Sequence, residues 1–147
     1  MTEVNSGTVD NPELLEGEIL EKKMHDYPDG LPWKLACHIF EQCIESLISA
    51  REHGITHCNL TPSNIVVLKD DSIKLIGIGI AGCTAEAGSG GLPGSFDYMA
   101  PEFARLNGFQ GDERSDIFSV GVCFYQALTG KLPYKKFGKA ADVEYLH

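Results

Sequence analysis

The clearest periodic pattern of apolar positions follows Pro32. Apolar residues recur there at steps of three and four, the spacing of one face of an α-helix: Leu35, Ala36, Ile39, Phe40, Cys43, Ile44, Leu47 and Ile48. Proline suits the first turn of a helix, and Gly54 stands where a C-cap is expected. The pattern predicts a helix of about five to six turns between these two residues.

Two shorter apolar runs and one long one follow this helix. Residues 65–68 (IVVL) and 73–76 (IKLI) flank a polar segment of four residues and predict a β-hairpin. Residues 117–128 are apolar nearly all round, which predicts a helix buried on most sides. Seven glycines lie between positions 77 and 94, a composition typical of a long functional loop.

Composition and charge limit the class of protein. The 147 residues are 43% hydrophobic and 22% charged, which indicates one globular domain. The net charge of −9 makes nucleic acid and anionic membrane surfaces poor partners. The chain has no apolar run long enough to span a membrane and no signal-peptide pattern at its start, so we expect a cytoplasmic protein.

The five cysteines show no metal-binding spacing. No CxxC pair occurs, so a zinc knuckle is not expected. The odd count in a cytoplasmic chain predicts free thiols. We expect Cys37, Cys43 and Cys123 to be small core residues, because cysteine is commonly buried.

Four short motifs occur in a fixed order. They are HCNLTPSN at 57–64, GIG at 77–79, GSFDYMAPE at 94–102 and SDIFSVG at 115–121. In this order and spacing the chain resembles the C-terminal lobe of the protein kinase family, Ser/Thr type, from about Glu16 to Tyr134. The resemblance implies an α+β, mainly helical fold: a truncated kinase-like C-lobe with a β-hairpin and no N-lobe. It divides the chain into a flexible lead-in (1–13), the partial C-lobe (14–134) and a tail (135–147).

The resemblance places residues 57–64 on the kinase catalytic loop. Asn59 takes the position of the aspartate that accepts the substrate hydroxyl proton. A neutral amide cannot take that proton at pH 7. Thr61 takes the position of the lysine that steadies the transferred phosphate, and Cys58 that of an arginine that contacts activation-loop phosphate. His57 resembles the structural histidine beneath the activation loop.

The same resemblance implies a nucleotide and magnesium site with a missing ligand. Asn64 keeps the position of a magnesium ligand, whereas Gly77 replaces the chelating aspartate and has no side-chain oxygen. Val66 lies where the family packs an apolar side chain beneath adenine, with Ile65 and Val67 on the opposite face of the hairpin.

Four further positions carry structural roles in the family. Ser95 keeps a hydroxyl that contacts the catalytic aspartate and lysine, both replaced here. Glu102 normally pairs with an arginine beyond the end of this chain, so a solvated carboxylate is an equal alternative. Ser115 is the expected N-cap of the buried helix. Asp116 is expected to be buried and to accept hydrogen bonds from backbone amides of the catalytic loop.

A rival interpretation uses the same glycines. Residues 77–82 spell GIGIAG after a strand, which matches the dinucleotide-binding fingerprint. That fingerprint requires a helix opening on the third glycine and a second strand ending in an acidic residue. Residues 83–87 leave room for only a turn or two before the next glycines, so the context disfavours this interpretation.

The expected function is that of a pseudokinase: a protein-binding or regulatory module without phosphotransferase activity. Alternatives are a kinase-like ATP-using enzyme completed by an N-lobe on another chain, and a truncated kinase gene product. No cofactor is expected, and ATP and Mg²⁺ only if the family activity survives. A protein partner or self-association is expected, because hairpin residues around Val66, together with Phe124, Leu128 and Leu132, should in part meet water.

Overall fold

A computed structural model of the chain describes residues 16–78, 96–104 and 112–134. The predicted lead-in, the tail and most of the glycine-rich loop lie outside these residues. The described helices and strands, in chain order, are β1 (Gly17–Ile19), α1 (Leu20–His25), α2 (Trp33–Glu52), β2 (Ile65–Leu68), β3 (Ile73–Leu75) and α3 (Glu113–Thr129). Short 3₁₀ turns lie at Pro62–Asn64, Phe96–Tyr98 and Pro101–Ala104.

The long amphipathic helix predicted after Pro32 is confirmed. α2 begins at Trp33 after Pro32 and ends at Glu52, and Gly54 two residues later has φ +71°. Its buried face carries the predicted apolar stripe. These buried residues are Ala36, Ile39, Phe40, Cys43 and Ala50.

The predicted hairpin is also confirmed, but it belongs to a three-stranded antiparallel sheet of order β1-β2-β3. β1 pairs with β2 through Gly17↔Leu68 and Ile19↔Val66. Val66 is therefore the middle of a central strand and is fully buried, and Ile65 and Val67 are buried with it. The prediction that this part of the hairpin meets water is wrong, because β2 lies between β1 and β3 and these three side chains are buried.

α3 begins two residues before the predicted N-cap. Asp112 caps it, since its side chain accepts from the Arg114 amide at 2.9 Å, and Ser115 is instead a buried residue of the first turn. The helix is not buried all round. Ile117, Gly121 and Tyr125 form an exposed stripe along it, and Ile117 is 68% exposed.

α2 and α3 lie against each other and run in opposite directions. At one end the rings of Phe40 and Phe124 are 5.0 Å apart, and at the other Arg51 pairs with Glu113 at 3.2 Å. The core forms between these helices and the sheet, with Leu20 and Leu60 fully enclosed. Of the residues predicted to be exposed near α3, Phe124, Leu128 and Leu132 are partly buried against this core.

The cysteines differ in part from the prediction. Cys43 and Cys123 are buried free thiols, whereas Cys37 is free but exposed on α2. Burial raises the pKa of Cys43 to about 12. Cys58 is disulfide-bonded, with its partner outside the described residues, so the expectation of free thiols fails there. None of the helices in the described ranges has the length and apolarity needed to cross a membrane.

Candidate functional site

The candidate site is the loop that leads from α2 into β2. Its first half is extended and contains Cys58, whose φ of +67° is uncommon for a residue with a side chain. Its second half is the 3₁₀ turn Pro62–Asn64, which delivers the chain into β2. Leu60, Thr61 and Pro62 are buried, so the loop is held against the core rather than standing free in solvent.

A carboxylate from α3 holds the first half of the loop. The side chain of Asp116 is buried and accepts the His57 amide at 2.8 Å and the Cys58 amide at 2.7 Å. The two residues are almost sixty positions from Asp116 in the chain, so these bonds fix the loop to the start of α3. The contacts are the ones that the resemblance implies for Asp116.

Two opposing effects act on the pKa of Asp116. Burial raises it above the usual value, because the charged form loses its hydration. The amides of His57 and Cys58 lower it by donating to the carboxylate, and burial is the larger effect. The carboxylate is therefore kept in place by its hydrogen bonds and not by a favourable environment for charge.

The imidazole of His57 joins the loop to the chain beyond the hairpin. His57 is 1% exposed, and its Nε2 lies 3.1 Å from the carbonyl oxygen of Ile76. A carbonyl only accepts, so Nε2 carries the proton, and Nδ1 accepts the Asn59 amide at 3.4 Å. Burial lowers the pKa of His57, which favours this neutral form.

The second half of the loop is held by its own side chains. The Thr61 hydroxyl donates to Oδ1 of Asn64 at 2.9 Å. The carbonyl oxygen of Asn64 accepts the Ile76 amide at 2.9 Å, which joins this turn to the residue before Gly77. The side-chain oxygen of Asn64 therefore already has a donor within the loop.

Gly77 lies directly opposite Asn64. A Cβ atom on Gly77 would lie 3.5 Å from Nδ2 of Asn64 and would meet no other atom of the described residues within 4 Å. The backbone of Gly77 has φ +80°, a conformation that favours glycine. The two positions that the sequence predicted as a metal pair thus face each other, and only one of them has a side-chain oxygen.

The comparisons with known proteins agree with this geometry. The family model for the protein kinase domain matches residues 12–145. The chain belongs to the protein kinase family. Serine/threonine-protein kinase PknB of Mycolicibacterium smegmatis is 32% identical over 127 residues, which cover 83% of this chain and 20% of that protein. A probable serine/threonine-protein kinase of Clostridium acetobutylicum is 38% identical over 96 residues, covering 63% of this chain and 14% of that protein.

The kinase-like chain spans about a fifth of the length of the curated relatives that it matches. The structure agrees with a partial kinase C-lobe, since three helices and a small antiparallel sheet surround the loop. The antiparallel pairing of β2 with β3 also disagrees with the dinucleotide-binding interpretation, which needs parallel strands.

Acidic side chains do not replace the missing ligand within the described part of the kinase-like chain. Among its described residues no three His, Cys, Asp or Glu side chains come close enough together to hold a metal ion. Asp70 is in the exposed hairpin turn, where it accepts from Ser72, and Asp71 is exposed beside it. Asp97 is buried within the 3₁₀ turn at Phe96–Tyr98, and Tyr134 donates to its backbone carbonyl.

Three predicted site residues of the kinase motif remain. Glu102 is half-buried and accepts the Ser115 hydroxyl at 2.5 Å. Val66 lies in the buried middle of the sheet. Ser95 lies outside the described residues.

Several contacts of the loop at 57–64 and of α3 were not predicted from the sequence. The Ser63 hydroxyl donates to Glu21 at 2.6 Å, which ties the loop to α1. Ser119 of α3 donates to the carbonyl of Tyr98 at 2.8 Å. These partners are 42 and 21 residues apart, and no spacing rule connects them. Only the contact between Thr61 and Asn64 had a local signal, since a threonine three residues before an asparagine can bond across a 3₁₀ turn.

Proposed function

We propose that this chain is a pseudokinase module, a kinase-like domain that does not transfer phosphate and that acts by binding protein. The observation that carries the proposal is the pairing of Gly77 with Asn64. Magnesium requires oxygen ligands, and residue 77 has no side-chain oxygen to offer beside the one on Asn64. That asparagine oxygen also accepts the Thr61 hydroxyl.

The other two replacements support the same conclusion. Phosphoryl transfer depends on positioning and on neutralising the charge of the phosphate. Asn59 is neutral at the position of the proton acceptor, and Thr61 is neutral at the position of the phosphate-binding lysine. The Thr61 side chain is also turned into the loop, where it donates to Asn64. The loop therefore has neither a base nor a cation at the family's positions.

The framework around these positions supports a structural and binding role. Asp116, His57 and Asn64 keep their family identities and hold the loop through buried hydrogen bonds. An ordered kinase-like surface can bind another protein without any chemistry. We therefore propose that the fold is retained for its shape and that ATP and Mg²⁺ are not used.

The alternative of an active enzyme completed by another chain makes the opposite prediction when a kinase N-lobe is supplied in the assay as a second chain. Purified chain is incubated with γ-labelled ATP, Mg²⁺ and a generic Ser/Thr substrate. We expect no labelled phosphate in the substrate or in the chain. Magnesium-dependent incorporation that disappears in Asn64→Ala would contradict the proposal, because that variant removes the one family metal ligand that remains.

A nucleotide-free control separates inactivity from misfolding. Circular dichroism of the assayed sample should show a cooperative melt for both wild type and Asn64→Ala. Absence of incorporation then reports on the site, since the fold is present in both samples.

A further inference from the structure

The outer surfaces of α2 and α3 expose three isoleucines. Ile44 and Ile48 on α2 are 47% and 53% exposed, and Ile117 on α3 is 68% exposed. Large aliphatic side chains scattered singly over a surface are normal. These three are not scattered, as the packing of the two helices shows.

The register of the two helices brings the isoleucines together. Phe40 packs on Phe124, and Arg51 pairs with Glu113. The two contacts are separated by the same number of residues on both helices, so the antiparallel helices stay in register between them. Counting one turn inward from each end sets Ile48 at the level of Ile117 and Ile44 at the level of Gly121, and all four residues are exposed. These four exposed residues on neighbouring helices are here named the α2–α3 face.

Gly121 leaves a depression in the middle of the α2–α3 face. A Cβ added there would meet no atom within 4 Å, and the glycine lies between the exposed side chains of Ile117 and Tyr125 on the same stripe. A glycine at this place lets the surface of another molecule come close to the helix backbone. The α2–α3 face is thus apolar at its centre and accessible.

The charged residues of α2 are arranged about the same centre. On the exposed side of α2 lie, in order, Glu41, Ile44, Ile48 and Arg51. If a second α2 lies antiparallel on the first, with the two-fold axis at the level of residue 46, Ile44 of each copy meets Ile48 of the other. The same axis sets Glu41 opposite Arg51 at both ends. The order of side chains on this helix is therefore complementary to itself.

Arg51 can take part in such a contact without losing its present one. Only its NH2 nitrogen is paired with Glu113, at 3.2 Å, and its side chain is 67% exposed. A guanidinium has five N–H donors, so a second carboxylate can bind on its free side. Glu41 is exposed on the outer side of α2 and is placed to supply that carboxylate.

We propose that the α2–α3 face binds the same face of a second copy of this chain, with the two α2 helices antiparallel. A two-fold contact of this kind uses one patch twice and closes on itself. Three isoleucines from each copy and two rim ion pairs in the whole dimer make a small interface, so the dimer forms in a concentration-dependent way. The inference specifies the partner for the binding role proposed above and does not require that catalysis be lost.

The test is sedimentation of the intact chain in about 0.15 M salt, where the Debye length is about 8 Å and the repulsion between two copies is screened. The mass should rise with concentration from 16.0 kDa toward twice that value. Ile48→Glu should abolish the rise, since it buries a charge at the centre. The matched control Trp33→Glu changes an apolar residue that is 65% exposed at the start of α2, away from the face, and should leave the rise unchanged.

Charge exchange tests the orientation. Glu41→Arg and Arg51→Glu alone should each weaken association about tenfold, because each sets like charges opposite one another at both ends. The double variant should regain the wild-type association. A monomer at every concentration overturns the proposal, as does a dimer that survives Ile48→Glu. Single variants that weaken association without rescue in the double variant overturn the antiparallel arrangement and the proposal with it.

Discussion

The two sides of the catalytic loop differ in what they retain of the kinase pattern. The side that faces α3 keeps the family residues and their contacts: Asp116 receives two amides, and His57 is bonded to Ile76. The side that faces Gly77 keeps Asn64, whereas Asn59 and Thr61 are neutral and Gly77 has no side chain. Both sides belong to the same eight residues.

This difference separates the residues that build the loop from those that perform chemistry on it. A buried carboxylate that satisfies backbone amides contributes to folding whatever happens at the active site. A proton acceptor or a metal ligand that makes no structural hydrogen bond can be lost without unfolding the protein. Each prediction below changes one side and asks whether the other responds.

The largest effect should come from Asp116→Ala. The variant leaves the buried amides of His57 and Cys58 without an acceptor, and each such donor costs about 1–3 kcal/mol. Relief from burying the charge offsets part of this loss, so we expect the free energy of unfolding to fall by about 3 kcal/mol. Chemical denaturation measures it. Asp112→Ala, at the exposed cap of the same helix, is the control and should lose much less stability.

An Asp116→Ala protein as stable as the wild type would contradict the anchoring role. The free energy of unfolding of Asp116→Asn should lie between that of Asp116→Ala and that of the wild type. The asparagine side chain has a single carbonyl oxygen, which can accept only one of the two amides well.

The dependence of stability on pH should reveal His57. Burial lowers the pKa of His57 in the folded state below the unfolded value of 6.5. Between the folded and the unfolded pKa, the unfolded chain therefore binds more protons than the folded chain. The free energy of unfolding should therefore decrease as the pH falls through this window, by at most about 1.4 kcal/mol per pH unit. Asp116 has the opposite sign at lower pH, since its raised pKa gives stability that is lost as the pH rises through the folded value.

His57→Gln should remove the pH dependence of the free energy of unfolding just below pH 6.5. The pH dependence caused by Asp116 at lower pH should remain. The matched variant His53→Gln alters an exposed histidine at the end of α2 and serves as the control. If the slope near pH 6 is the same in His57→Gln as in wild type, the neutral buried imidazole is not its source.

Alanine substitutions at Gly77 and Gly121 should change the free energy of unfolding by smaller amounts and in opposite directions. Gly77→Ala places a side chain at φ +80° and should lower the free energy of unfolding by about 1–2 kcal/mol. Gly121→Ala lies inside α3 with open space around it and should raise that free energy by up to about 1 kcal/mol. Thermal melts of dilute samples measure both. Equal signs would mean that the backbone at Gly77 relaxes, and the Gly77–Asn64 geometry would lose its basis.

The sequence predicted the parts of this molecule that depend on local patterns. α2 has a long stripe with a proline before it, and the hairpin has two β-rich runs with a polar turn between them. Asp116 could be placed because the motif around it specified both its burial and its partners. The missing side-chain ligand at position 77 could likewise be inferred, because a glycine has no side-chain oxygen in any fold.

Other features depend on contacts between distant residues, which patterns do not encode. β1 has only three residues and no signal of its own, yet it turns Val66 into a buried central position. Residues 117–128 are apolar on every side, so their composition could not show that Ile117 would face water. Asp112 and Ser115 are both good N-cap residues, and only the path of the chain decides between them.

Magnesium-dependent nucleotide binding is the decisive measurement for the pair of residues Asn64 and Gly77. Isothermal titration of the folded chain with ATP, with and without Mg²⁺, reports whether residues 64 and 77 act together on a metal. The account predicts no heat that depends on magnesium, and the same trace for wild type and Asn64→Ala. Saturable binding that requires Mg²⁺ and is lost in Asn64→Ala would show that the site still holds a metal, contrary to the account.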